Sequence, residues 1–126
     1  MPFKFLIDRN RRLVTTVATG EVTLVEAKAY QDQIRNNVDF DPLFDQFIDL
    51  SDVTEIAMLS DELLSLAERN PLSCTSRIAL VAPKALTFGI SRMLQAFNEF
   101  SAAASSMAVF YDFPSAMRFL AMNEEE

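Results

Sequence analysis

Histidine is missing from this sequence altogether, cysteine occurs once, at Cys74, and only two glycines, Gly20 and Gly89, are spread over 126 residues. Without histidine there is no Ser-His-Asp triad, no Cys-His dyad, no histidine-bearing zinc site and no imidazole switch. A single cysteine closes no intrachain disulfide and gives no sign of an oxidising compartment. The burial habit of free cysteine predicts that Cys74 is a small core hydrophobe, since no histidine is present to pair with its thiolate. Neither glycine stands in a G-x-G-x-x-G or G-x-x-x-x-G-K-[ST] pattern, which removes the usual phosphate cradles. No stretch approaches the ~18 apolar residues of a membrane span, and the basic residues near the start are not followed by the apolar run of a signal peptide. The cytoplasm is the expected location.

What remains is an ordinary globular composition, with 50% hydrophobic and 23% charged residues. The length suits one domain covering residues 1–126. A net charge of −7 is unevenly spread. Lys4, Arg9, Arg11 and Arg12 crowd the start, whereas Asn36 to Glu68 holds nine acidic residues and no basic one. Most of such a surface repels nucleic acid, and the four early cations fit a solvated hairpin tip better than a phosphate-tracking groove.

Hydrophobic periodicity alternates between two kinds. Phe3 to Ile7 and Leu13 to Val22 read as an antiparallel hairpin around the polar Asp8-Arg9-Asn10-Arg11. Thr23 and Glu26 then stand at capping-box spacing ahead of Ala27, Tyr30 and Ile34, which predicts a first helix to about Asn37. Gln46 to Leu50 is a short apolar strand closed by Ser51-Asp52, and Ser60 is placed to cap a second helix that stops at Asn70-Pro71. Ile78-Ala79-Leu80-Val81 suits a strand buried on both faces. Leu86, Ile90, Met93, Phe97 and Phe100 recur at helical steps and predict a third helix with that stripe facing a core. Met107 to Tyr111 is the last strand, Asp112 and Pro114 open a final helix, and Glu124 to Glu126 should fray. The order ββαβαβαβα implies an α/β fold, with a mixed, mostly parallel sheet, an N-terminal antiparallel hairpin and helices on both sheet faces.

Binding sites in parallel sheets gather where strands hand over to helices. The segments so placed are Ser51 to Ser60, Ala82 to Gly89 and Asp112 to Ser115. Asp39, Asp41, Asp45, Asp49, Asp52 and Glu55 offer oxygens to a hard cation, but a calcium loop opening at Asp41 would need glycine where Gln46 stands and glutamate where Asp52 stands. These carboxylates read as surface charge, and no metal or cofactor is expected. A glycine inside a helix costs about 1 kcal/mol against alanine. Gly89 therefore predicts close packing of the third helix on the sheet, or a ligand passing its backbone. Lys84 and Arg92 lie eight residues apart, just over two helical turns, and are candidates to meet an anion together. Met58, Phe88, Met93 and Phe97, with Gly89, form a candidate apolar pocket, against the plainer reading that they fill the core.

Three segments carry a family resemblance: Phe47-Ile48-Asp49-Leu50-Ser51, Arg77-Ile78-Ala79-Leu80-Val81-Ala82-Pro83 and Phe88-Gly89-Ile90-Ser91-Arg92-Met93. Through them most of the chain resembles the STAS-like domains, also called SpoIIAA-like or anti-sigma-factor-antagonist-like, in particular a branch of uncharacterised bacterial proteins that shares the fold with lipid-transfer relatives. The resemblance implies a phosphorylation-controlled binding module, in which a serine of an Asp-Ser-Ser-Gly motif switches partner affinity. Here the corresponding stretch reads Ala57-Met58-Leu59-Ser60-Asp61. It lacks the aspartate and glycine, so Ser60 is the nearest equivalent and also reads as a plain helix cap.

Two functions follow as expectations. The first is a non-enzymatic binding or regulatory module that presents Ser51, Ser60, Lys84 and Arg92 to a protein partner or to a second copy in a homodimer. The alternative is a carrier of a lipid or other apolar small ligand, suggested by eleven phenylalanines and six methionines. An enzyme comes third, because it would have to work with carboxylates, Lys84 or Cys74 alone.

Overall fold

The computed structural model describes residues 2–101 and 105–121, so the expected fraying of Glu124 to Glu126 lies outside the described residues. The predicted order is present: β1 (Phe3–Asp8), β2 (Leu13–Thr23), α1 (Leu24–Arg35), β3 (Asp45–Ala57), α2 (Ser60–Glu68), β4 (Arg77–Val81), α3 (Ala85–Glu99), β5 (Ser106–Phe110) and α4 (Phe113–Ala121). Among the described residues five strands form one sheet in the order β1-β2-β3-β4-β5. β1 and β2 pair antiparallel, and every later pair is parallel.

This order explains how the helices are shared between the faces. Each parallel connection steps one strand in the same direction, and right-handed crossovers in one direction put every connecting helix on the same side. α1, α2 and α3 accordingly cover the face that carries Val14, Ala18, Leu50 and Leu80. Among the described residues the opposite face receives only α4, whose Ala116 and Leu120 pack on Leu13, Phe47, Ala79 and Val81. Helices do lie on both faces, but three to one. Towards β1 the thinly covered face leaves Leu6 and Val17 exposed.

Local chemistry sets most boundaries. The Thr23–Glu26 capping box closes the start of α1, with Glu26 N–H donating to the Thr23 hydroxyl and Thr23 N–H to the Glu26 carboxylate. Arg12, at φ 56°, turns the chain into β2. Gly20, at φ 71°, sits where the β2–β3 register shifts, a bulge conformation that glycine adopts without penalty from a Cβ. At the head of α4 the exposed Asp112 carboxylate accepts from the Ser115 N–H at 2.8 Å. That bond holds its pKa below the ordinary aspartate value.

Three expectations change. Ser51 to Ala57 continues β3 instead of forming a loop, because Thr19 to Thr23 of β2 extends beside Asp52 to Ala57 and pairs with it. Ser60 is the first residue of α2 and not its cap; Leu59 holds that position, and its N–H donates to the Glu62 carboxylate at 2.8 Å. Cys74 is exposed, in the connection between α2 and β4.

Candidate functional site

Helix α3 is turned relative to its sequence pattern. Its buried residues are Thr87, Ser91 and Asn98, while Leu86, Met93 and Phe100 are 72%, 40% and 86% exposed. Ile90 and Phe97 are half-buried at the border between the two sides. Polar groups hold this rotation. The buried Asn98 side chain donates to the Ser105 carbonyl at 2.7 Å, and the Asn70 amide donates to the Ser105 hydroxyl at 3.0 Å. Ser105 in turn donates to the Ser73 carbonyl at 2.6 Å. Pointing Phe97 or Phe100 inward would break that cluster and leave buried polar groups without partners, at about 1–3 kcal/mol each.

The outward side of α3 is therefore apolar. Leu86, Met93 and Phe100 are spaced by seven residues and share one face, with Gly89 and Ala96 exposed beside them. A Cβ added at Gly89 would meet nothing within 4 Å. That overturns tight packing on the sheet as the reason for this glycine. Arg92 flanks the stripe and is exposed. Lys84 caps α3, and its Nζ donates to the Val53 carbonyl at 3.3 Å, tying the β4–α3 junction to β3. Phe88 stacks on Tyr111, with ring centroids 3.9 Å apart, and packs on the core cluster of Leu50, Val53 and Leu80. Ser60 is exposed, whereas Ser51 is half-buried within β3, where its N–H donates to the Asp49 carboxylate.

A second feature lies inside. Between α1, α2, α3 and the strands is a cavity of about 110 Å³, bounded by Ile34, Leu66, Leu94, Ile48, Leu80 and Met107 among others. Of the five predicted pocket residues Met58 lines it; Phe88, Gly89, Met93 and Phe97 lie elsewhere. Tyr30 lines the cavity, and its hydroxyl pairs with the Thr16 hydroxyl and accepts from Gln46 Nε2 at 2.6 Å. Burial pushes the phenol pKa well above its ordinary value, against the smaller opposing effect of those bonds. A polar clasp joins α1 to α2 nearby: Gln31 donates to the Leu66 carbonyl at 3.0 Å, and Arg69 meets Asp32 at 2.7 Å. No sequence pattern marks this cavity, because its walls are ordinary core residues drawn from several elements.

Charge is concentrated at the far end of β2 and β3. Glu21 and Glu55 are register partners on adjacent strands. Hydrogen bonding to Glu55, and repulsion from its charge, raise the pKa of Glu21. Among the described residues no three His, Cys, Asp or Glu side chains converge in a way that could hold a metal ion, and no helix is long and apolar enough to cross a membrane.

No family model matches the chain, and no curated protein matches it. Among solved structures it is similar to an uncharacterised protein of the DUF3478 family from Shewanella loihica PV-4, which has a SpoIIAA-like fold. The superposition has a TM-score of 0.60 at 15% sequence identity and covers 94% of this chain and 93% of that one. The strand order, the antiparallel hairpin at the start and helices α1 to α4 thus assemble into a SpoIIAA-like fold.

Proposed function

We propose that this chain is a non-enzymatic protein-interaction module whose contact face is the outward stripe of α3, and that a second copy of the chain is its occupant. The observation that carries this reading is the exposure of Leu86, Met93 and Phe100 on one helix face. Isolated exposed apolar residues are common, but three of them aligned over about 21 Å, from the first turn of α3 to its C-cap residue Phe100, form a seam of the kind that another helix covers. The pattern is self-complementary. Met93 lies seven residues from both Leu86 and Phe100, so a two-fold axis at Met93 would set Leu86 of one copy against Phe100 of the other. Gly89 and Ala96, being small, let two backbones approach. The histidine-free composition, which offers no imidazole for acid–base work, accords with binding rather than catalysis.

Sedimentation equilibrium tests the reading. The protein is expected to be a dimer at concentrations on the order of tens of micromolar, and Met93→Glu is expected to make it a monomer with an unchanged circular dichroism spectrum. A wild-type chain that stays monomeric to several hundred micromolar removes the dimer, and with it the role assigned to this face. A long-chain lipid carrier is disfavoured by size, since the space is about 110 Å³ and a cavity of about 150 Å³ is of the size that takes benzene or xenon.

A further inference from the structure

We infer, on the reading that a second copy covers α3, that Arg92 and Glu99 form reciprocal ion pairs across the seam and that these pairs make another copy of this chain the partner the seam selects. The apolar stripe has two unlike flanks. On one side Ile90 and Phe97 are half-buried against the protein, and on the other Ala85, Arg92 and Glu99 are exposed and repeat the seven-residue step of the stripe. Within one copy the two charges have no use. Among the described residues neither forms a salt bridge. No charged residue stands three or four positions from either along α3, and the two are themselves seven residues apart, about 10.5 Å of helix. Glu99 is also the last residue of α3, where the negative end of a helix favours a cation.

A second copy supplies what one copy lacks. With the two-fold axis at Met93, Arg92 stands one residue before the axis and Glu99 of the other copy six residues before it, on the same flank of the seam. Their offset is about 7.5 Å along the helices, which these two long side chains span across axes about 8–10 Å apart. Symmetry makes the pair twice. Along the flank the order is Glu99, Arg92, Arg92, Glu99, alternating between copies at each end, so two attractions outweigh the one contact between like charges. A parallel pairing loses this match, because the charged flank of each copy would then face the half-buried Ile90 and Phe97 of the other. The stripe of Leu86, Met93 and Phe100 would accept many apolar helices. The charges beside it reject those without a cation and an anion at this spacing in the reverse direction, and α3 itself meets that requirement.

Charge reversal decides it, since both positions are exposed and can change without disturbing the core. By sedimentation equilibrium, Arg92→Glu and Glu99→Arg are each expected to raise the dimer Kd about tenfold, and the double variant is expected to return to within about threefold of the wild type. Mixed in equal amounts, the two single variants are expected to form a heterodimer in preference to either homodimer, counted by native mass spectrometry. Every contact between Arg92→Glu and Glu99→Arg chains on this flank is then an attraction. Unchanged circular dichroism spectra verify that each variant is folded. The inference is overturned by single reversals that leave the Kd as it was, by a double variant no tighter than the singles, or by random mixing of the two. Where such a result accompanies a wild-type dimer that Met93→Glu still dissociates, the α3 seam stands and only the ion pairs fall. A wild-type chain that stays monomeric removes both.

Discussion

The Asn98 side chain donates to the Ser105 main-chain carbonyl across 2.7 Å with both residues buried, and this bond fixes which way α3 faces. Asn98→Leu keeps the approximate volume but leaves the Ser105 carbonyl without that donor. A loss of about 1–3 kcal/mol is expected by urea denaturation, with an unchanged m-value. A loss below about 0.5 kcal/mol, the range of an ordinary surface substitution, would mean that the rotation of α3 rests on something else.

If the apolar stripe of α3 faces outward in the monomer, its truncation should be cheap and truncation of the opposite wall expensive. Leu86→Gln in a Met93→Glu background, where self-association is already removed, is expected to stay within about 0.5 kcal/mol of its parent. Leu80→Ala, at a strand position 2% exposed, is expected to cost about 2–5 kcal/mol. Similar losses at the two sites would contradict the outward orientation of the stripe.

Gly89→Ala separates fold from contact. No atom lies within 4 Å of the new methyl group, so thermal unfolding of the Met93→Glu monomer should show a gain of about 0.5–1 kcal/mol from helix propensity. In the wild-type background the same change should weaken the dimer, because it thickens the seam.

Removing the Tyr30 hydroxyl strands two buried partners, Thr16 and Gln46. Tyr30→Phe is expected to lose about 1–3 kcal/mol by chemical denaturation. An unchanged midpoint would show that these groups find each other or water without the phenol.

The Glu21–Glu55 pair gives stability a pH dependence of definite sign. The folded-state pKa of Glu21 is raised, so the folded protein holds this proton more tightly than the unfolded chain. The contribution is present at low pH and is lost as pH rises through the folded value. Glu21→Gln should therefore raise the melting temperature at pH 7, and the advantage should vanish below about pH 4, where glutamates are protonated. A gain that is the same at pH 3 and pH 7 would contradict the pairing.

Much of this architecture is legible in the chain alone. Period-two and period-3.6 patterns, the Thr23–Glu26 box, the Asn70-Pro71 stop and the Asp112 start are local signals, written in neighbouring residues and read without knowledge of the fold. They set the element order, and parallel pairing follows from the helices between strands. The end of β3 is not legible in this way, because pairing with β2, not composition, extends it through Ala57.

The candidate sites were decided elsewhere. Periodicity reports that α3 is amphipathic but not which side turns inward, and here Asn70 and Ser105, both outside the helix, hold the polar side against the protein. The cavity depends on how closely three helices approach a sheet, a distance that no single segment encodes. By itself the sequence determined the elements, their order and the charge they carry, because those depend on near neighbours. Only the tertiary structure decided the face of α3 left bare, the exposure of Cys74 and the space between the helices and the sheet, because each results from packing between residues far apart in the chain.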